Sequence, residues 1–87
     1  MPEVARILLD RLVTVFGKSA SVDVNIDHAY VSRLHFQLRS QDGVYFISDL
    51  DSTNGTYLNG ERLNPHEERR VKDQDAIALA GDQIVLH

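Results

Sequence analysis

Three short polar segments of this chain carry side chains that together could bind an anion. Residues 17–18 are Gly-Lys, residues 32–35 are Ser-Arg-Leu-His, and residues 52–55 are Ser-Thr-Asn-Gly. They supply two cations, several hydroxyls and a primary amide. This set suits a phosphate ester, because cations neutralise its charge, hydroxyls donate to its oxygens and an amide pairs with nearby peptide backbone. No residue among them resembles a nucleophile with its base, so the pattern predicts binding rather than catalysis.

The third segment also has a purely structural explanation. Residues 54–55 and 59–60 are both Asn-Gly, a strong turn dipeptide because Asn and Gly tolerate positive φ. Residues 56–58 are too few for anything but a strand, so residues 52–54 should lie on an exposed loop tip. Ser, Thr and Asn bond their own backbone in turns, and such a loop tip can also hold a polar ligand. These residues alone leave both interpretations open.

Short strands separated by turns should position the three segments. Apolar and polar residues alternate along residues 22–26 and again along residues 35–39, a period of two that is typical of strands with one buried face. Asp42-Gly43 is a hairpin signal. Many short strands without a convincing helix predict an all-β sandwich or barrel, and the loops of a sandwich cluster at its two ends. The predicted strands cover residues 6–9, 12–16, 22–26, 35–39, 44–47, 56–58, 77–79 and 84–86, and residues 65–70 are predicted to form a charged, solvated loop.

Composition and charge narrow the class of protein. The length of 87 residues predicts a single domain, residues 1–87. The formal net charge of −4 argues against a nucleic-acid partner, which usually requires a basic surface. No apolar run approaches the roughly 20 residues that cross a bilayer, so no membrane partner is expected either.

The residues that most often hold metals are scarce or badly spaced. Cysteine is absent, which excludes disulfides and cysteine-ligated metal. The four histidines have no compact ligand spacing. We therefore predict no metal site and no cofactor. The expected location is cytoplasmic, or nuclear if the source is eukaryotic.

The order and spacing of these segments resemble a forkhead-associated (FHA) domain. The resemblance rests on Gly17-Lys18, on residues 32–35 and on the Asp-Leu-Asp-Ser-Thr-Asn-Gly-Thr-Tyr-Leu-Asn-Gly of residues 49–60, and it covers residues 12–86. It implies an FHA-like β-sandwich of about eleven short strands that binds phosphothreonine peptides on loops at one end. The short N-terminus is compatible with a missing edge strand. The implied function is a monomeric, non-enzymatic module of Ser/Thr-kinase signalling whose partner is a threonine-phosphorylated protein or peptide.

The resemblance assigns ligand contacts residue by residue. Ser32 matches the phosphate-binding serine, and Arg33 matches a position that often helps to hold phosphate. Thr53 matches a threonine whose hydroxyl and backbone face the phosphothreonine, and Asn54 matches the asparagine that bonds the main chain of the ligand. Lys18 stands where the family usually has Arg; it keeps the charge but lacks the planar fork that grips two oxygens.

Other matched residues shape the site. Gly17 and His35 match positions that support the ligand-binding residues, and Gly55 lets the chain leave the loop. We expect a buried hydrogen bond from His35 to hold the loop after Ser32. Residues 73–75, Asp-Gln-Asp, replace an Asp-Gly-Asp turn of the family, which is predicted to be a structural change only.

Two other functions compete with this prediction. The same scaffold could contact partners without phosphate, as a phospho-independent interaction or assembly domain, and Lys18 in place of Arg favours this alternative. A hydrolase built on Ser32, His35 and Asp49 is the alternative from another class. It is disfavoured because these residues lack the strand-turn-helix context and the Gly-x-Ser-x-Gly sequence of such a nucleophile.

Overall fold

The computed structural model describes residues 12–81 and 84–86, and the named elements among them are all β-strands. These strands form two sheets, which confirms the predicted all-β sandwich. None of the described residues belongs to a helix that is long and apolar enough to cross a membrane. The strands are β1 (Val13–Gly17), β2 (Val24–Asn25), β3 (Phe36–Gln41), β4 (Val44–Asp49), β5 (Thr56–Leu58), β6 (Glu61–Arg62), β7 (Arg69–Val71), β8 (Ile77–Leu79) and β9 (Ile84–Leu86).

Tight turns connect several neighbouring strands of the two sheets. The first sheet has the strand order β2-β1-β3-β4-β7, and the second has the order β6-β5-β8-β9. Strand β2 runs parallel to β1, whereas the other pairs are antiparallel. Asp42 and Gly43 join β3 to β4 with φ of 53° and 79°, as the predicted hairpin turn requires. Asn59 and Gly60 join β5 to β6 in the same way, with φ of 52° and 83°.

Apolar side chains from both sheets pack between them. Phe16 of β1 and Phe36 of β3 stack with ring centroids 4.4 Å apart, and Ile47 of β4 is fully buried. Leu58 of β5 and Leu79 of β8 join the same cluster from the second sheet. Because side chains alternate between the faces of a strand, this dry interface sets the register of each strand. It thereby also determines where each loop begins.

Two predicted segments differ from the structure. The strand predicted at residues 22–26 is only two residues long, Val24–Asn25. The loop predicted at residues 65–70 is wrong at its end, because its last two residues belong to β7, which pairs with the open edge of β4. Charged residues suit such an edge, since they discourage pairing with other chains. The described residues contain nine strands, and the further strand predicted at residues 6–9 lies outside them.

The acidic turn at residues 73–75 is hydrogen-bonded to the β5–β6 hairpin of the second sheet. Asn59 Nδ2 donates to Asp75 Oδ1 over 3.0 Å. The N–H of Lys72 and the amide of Asn59 hold the pKa of Asp75 below its ordinary value. Gln74 has a φ of 71° where the family turn has glycine, so this replacement carries a local backbone cost.

Gly17, the last residue of β1, touches the connection that precedes β3. A Cβ built on Gly17 would stand 2.1 Å from the carbonyl oxygen of Arg33. That neighbour is backbone, so it cannot rotate away as a flexible side chain would. The missing side chain is therefore what lets the two chain segments lie against each other.

Gly17→Ala should lower the free energy of unfolding by about 1–3 kcal/mol, the usual cost of forcing extra volume into a packed place. Urea denaturation measures this loss, and the backbone amide NMR shifts of residues 32–34 should move with it. Gly43→Ala is the comparison for local shifts: a Cβ there meets nothing within 4 Å, so this variant loses stability through its positive φ alone and should leave the shifts of residues 32–34 unchanged. Wild-type stability and unchanged shifts in Gly17→Ala would contradict this packing.

Candidate functional site

Three connections meet at one end of the sandwich and surround a cavity of about 530 Å³. The first follows β1, the second joins β2 to β3, and the third joins β4 to β5. The polar segments that the sequence analysis singled out thus lie together although they are far apart in the chain. The five side chains predicted to contact ligand are all part of the lining, which comprises Lys18, Ala29, Tyr30, Val31, Ser32, Arg33, Asp51, Thr53 and Asn54.

Backbone hydrogen bonds join the first two connections. The Lys18 N–H donates to the Ser32 carbonyl over 3.0 Å, and the Ser19 N–H donates to the Arg33 carbonyl over 3.1 Å. This pairing depends on the close approach at Gly17. The side chains of Lys18 and Arg33 are exposed and form no ion pair or hydrogen bond with any other residue that the structure describes. Two positive charges without an internal partner therefore border the cavity.

The ring of His35 joins the second connection to the third. Its Nδ1 accepts the Ser32 N–H over 3.0 Å. The neutral ring then carries its proton on Nε2, which donates to the Gly55 carbonyl over 2.9 Å. The side chain is 0% exposed. Both ring nitrogens are thus occupied in holding the two loops at a constant separation.

The side chains of Ser32 and Asn54 also cross between the loops. Ser32 Oγ accepts the Thr53 N–H over 3.0 Å, which leaves the hydroxyl hydrogen free to donate into the cavity. Asn54 Nδ2 donates to the Tyr30 carbonyl over 2.9 Å, which leaves its Oδ1 and one N–H for a ligand. The resemblance predicts that the hydroxyl and the backbone of Thr53 face the ligand, and in the structure the Thr53 N–H donates to Ser32 Oγ. The Thr53 side chain remains exposed.

The buried carboxylate of Asp49 holds the shape of the third connection. Asp49, at the end of β4, is 2% exposed. Its Oδ1 accepts the hydroxyls of Ser52 and Thr56 over 2.5 and 2.6 Å, and its Oδ2 accepts the Ser52 N–H over 3.0 Å. Ser52 Oγ in turn accepts the Gly55 N–H over 3.1 Å. Sequence reasoning missed this role, although a carboxylate three residues before a serine in a turn-rich segment is a usable signal for such a local cap.

The hydrolase alternative is contradicted by these contacts. His35 bonds two backbone groups and not the hydroxyl of Ser32. Asp49 bonds Ser52 and Thr56 rather than His35. A catalytic triad needs a hydroxyl–imidazole bond and an imidazole–carboxylate bond, and the described contacts of these three residues include neither.

A second, smaller cavity of about 300 Å³ adjoins the first. Tyr30 and Asn54 line both cavities, so the two cavities share these residues. The lining of the second cavity also includes Tyr57 of β5 and Gly81. Tyr30 is 50% exposed, and no sequence pattern predicts this exposure, because an aromatic residue in a loop is as often buried.

Asp49→Asn tests the role of the buried carboxylate. An asparagine can still accept the two hydroxyls, but its NH₂ cannot accept the Ser52 N–H, which would be left unsatisfied. The free energy of unfolding should fall by about 1–3 kcal/mol, the cost of an unpaired buried donor. Asp42→Asn is the control, since Asp42 is an exposed turn residue with positive φ. Equal urea midpoints for Asp49→Asn and wild type would refute this role.

Comparison with known proteins gives relatives along nearly the whole chain. The family model of the FHA domain matches residues 14–80. An oxoglutarate dehydrogenase inhibitor of Corynebacterium diphtheriae is 45% identical over 82 residues, which cover 94% of this chain and 55% of that protein. The glycogen accumulation regulator GarA of Mycobacterium tuberculosis is 37% identical over 82 residues, which cover 94% of this chain and 44% of that protein. The chain thus spans about half the length of these two relatives.

Solved structures agree with this sequence match. The N-terminal FHA domain of Rad53p from S. cerevisiae, in complex with a phosphothreonine peptide, is similar with a TM-score of 0.68 and 29% identity. The match covers 85% of this chain and 64% of that chain. The family model spans most of the chain, and the two-sheet fold and the loop motifs agree with it. This chain therefore belongs to the FHA domain family.

Proposed function

We propose that the larger cavity binds the phosphate of a phosphothreonine peptide between Lys18, Arg33 and the hydroxyl of Ser32. The observation that carries this proposal is the convergence, on one cavity of an FHA domain, of two cations that have no partner among the residues that the structure describes. Like charges brought together repel each other, and an anion placed between them removes that cost. The peptide-bound Rad53p domain, similar in fold, supports the same class of ligand.

Each lining side chain has a chemical part in this proposal. Arg33 offers a planar fork to two phosphate oxygens, and Lys18 acts as a point charge. Ser32 donates the hydroxyl hydrogen that its bond with Thr53 leaves free. Asn54, held by the Tyr30 carbonyl, pairs with the peptide backbone next to the phosphothreonine. A flanking side chain of the peptide then enters the second cavity.

The proposed biological role is the binding of phosphorylated partner proteins, without catalysis. Residues 1–87 act as one FHA domain, a monomeric and non-enzymatic module that recognises threonine-phosphorylated partner proteins in Ser/Thr-kinase signalling. The two relatives are named as an enzyme inhibitor and as a regulator, which supports a regulatory role for this chain. Because kinases use intracellular ATP, the proposed location is the cytoplasm, or the nucleus if the source is eukaryotic.

Binding should depend on the phosphate. A phosphothreonine carries about −1.5 to −2 charges at neutral pH with a second pKa near 6, so affinity should fall as pH drops below that value and as salt rises. Calorimetry measures the affinity of one phosphothreonine peptide, of its unphosphorylated form and of the same peptide with Asp in place of the phosphothreonine. Only the phosphothreonine peptide should bind well. Equal binding of the phosphorylated and unphosphorylated peptides would replace this proposal with the phospho-independent alternative.

Lys18 should contribute directly to affinity. A charge-assisted hydrogen bond is worth about 1.5–3 kcal/mol, so Lys18→Ala should weaken phosphopeptide binding at least about tenfold. Lys18→Arg should bind as tightly as wild type or more tightly, because its fork can hold two oxygens. Lys72→Ala, which removes an exposed charge outside both cavities, is the control. Unchanged affinity of Lys18→Ala in calorimetry would leave Arg33 as the main cation.

A further inference from the structure

Asp51 places a carboxylate on the lining of a cavity that is otherwise built for an anion. It borders the same cavity as Lys18 and Arg33. The residue is exposed, and its side chain forms no hydrogen bond or ion pair with any other residue that the structure describes. Asp49, two positions earlier, is the opposite case, since its carboxylate is buried and bonded on both oxygens. Within residues 12–81 and 84–86, therefore, no contact of Asp51 explains its charge.

The backbone does not require a carboxylate at this position either. Asp51 has a φ of 59°, a left-handed conformation that glycine adopts freely and that Asn tolerates as well as Asp. Either neutral residue would satisfy the turn and would leave the cavity more positive. The negative charge of Asp51 therefore needs another explanation, because the proposed phosphothreonine ligand is negative as well.

Charge balance in the loaded cavity supplies the explanation. The phosphothreonine of the proposed function brings about −1.5 to −2 charges, which Lys18 and Arg33 alone would neutralise. Asp51 adds one more negative charge to the same cavity. We propose that Asp51 makes this domain select phosphothreonine peptides that carry a Lys or Arg next to the phosphothreonine. This inference rests on the proposed function and names the class of partner.

The two cavities indicate which part of the peptide meets Asp51. Asp51 lines the larger cavity only, whereas Tyr30 and Asn54 line both. We therefore expect Asp51 to lie near the phosphothreonine itself rather than near the part of the peptide that enters the smaller cavity. Successive residues of an extended peptide lie about 3.3 Å apart. A residue next to the phosphothreonine should therefore come within one Debye length of Asp51, about 8 Å at physiological salt.

Calorimetry with a matched peptide set tests the proposal. One phosphothreonine peptide is made with Lys, Ala or Glu immediately before or immediately after the phosphothreonine, and each is titrated into wild type and Asp51→Asn. Wild type should prefer Lys over Ala, and Ala over Glu, at one of the two positions by about two- to fivefold per step, the range of exposed ion pairs. The preference should disappear in Asp51→Asn and persist in Asp42→Asn, another exposed Asp with positive φ.

The controls separate this inference from the function on which it rests. Asp51→Asn keeps the turn, because Asn tolerates the same φ, and it should bind the phosphorylated Ala peptide at least as tightly as wild type does. If wild type shows no preference for Lys, or if Asp51→Asn keeps that preference, the inference is overturned while phosphate dependence stands. If the unphosphorylated peptides bind as well as the phosphorylated ones, the proposed function fails and the inference fails with it.

Discussion

The buried ring of His35 is the interaction on which the functional end of this domain depends. One nitrogen accepts the Ser32 N–H and the other donates to the Gly55 carbonyl, so a single rigid ring spans two loops that are 20 residues apart in sequence. The ring is inaccessible to solvent, and water cannot take the place of either bond. Ser32 and the loop that carries Thr53 are thereby held in register before any ligand arrives.

Two further constraints extend this arrangement to the whole cavity. Asp49 ties together the loop from Ser52 to Thr56 through its buried carboxylate, and Gly17 allows the end of β1 to touch the backbone at Arg33. Asp49 acts through two buried hydroxyls and one N–H, and Gly17 acts through backbone contact, so neither constraint uses the exposed charges of Lys18 and Arg33 that line the cavity. Binding to such a preorganised site avoids much of the entropy cost of ordering loops.

Some surface charges of the described residues form ion pairs, whereas those of the cavity do not. The Arg39 guanidinium donates to both carboxylate oxygens of Glu68, over 2.6 and 2.9 Å. Arg69 forms an ion pair with Glu61. Lys18, Arg33 and Asp51 have no such partners among the described residues. In a chain with a net charge of −4, unpaired cations at one loop cluster create a local field that the overall charge conceals. In the proposed function, specificity rests on these few charges, which have no partner among the described residues.

Local sequence was enough to determine the turns, most strands and the inventory of polar groups. Asp42-Gly43 and Asn59-Gly60 adopt positive φ because that preference belongs to the residues themselves. The alternation of apolar residues located β3, since one buried face imposes a period of two. Only the tertiary structure decided that Arg69 and Arg70 pair with β4. It also decided that Asp49 is buried and accepts several hydrogen bonds, and that Tyr30 is exposed and lines two cavities. Burial and hydrogen-bond partners depend on residues distant in the chain, and no local pattern records which of them will meet.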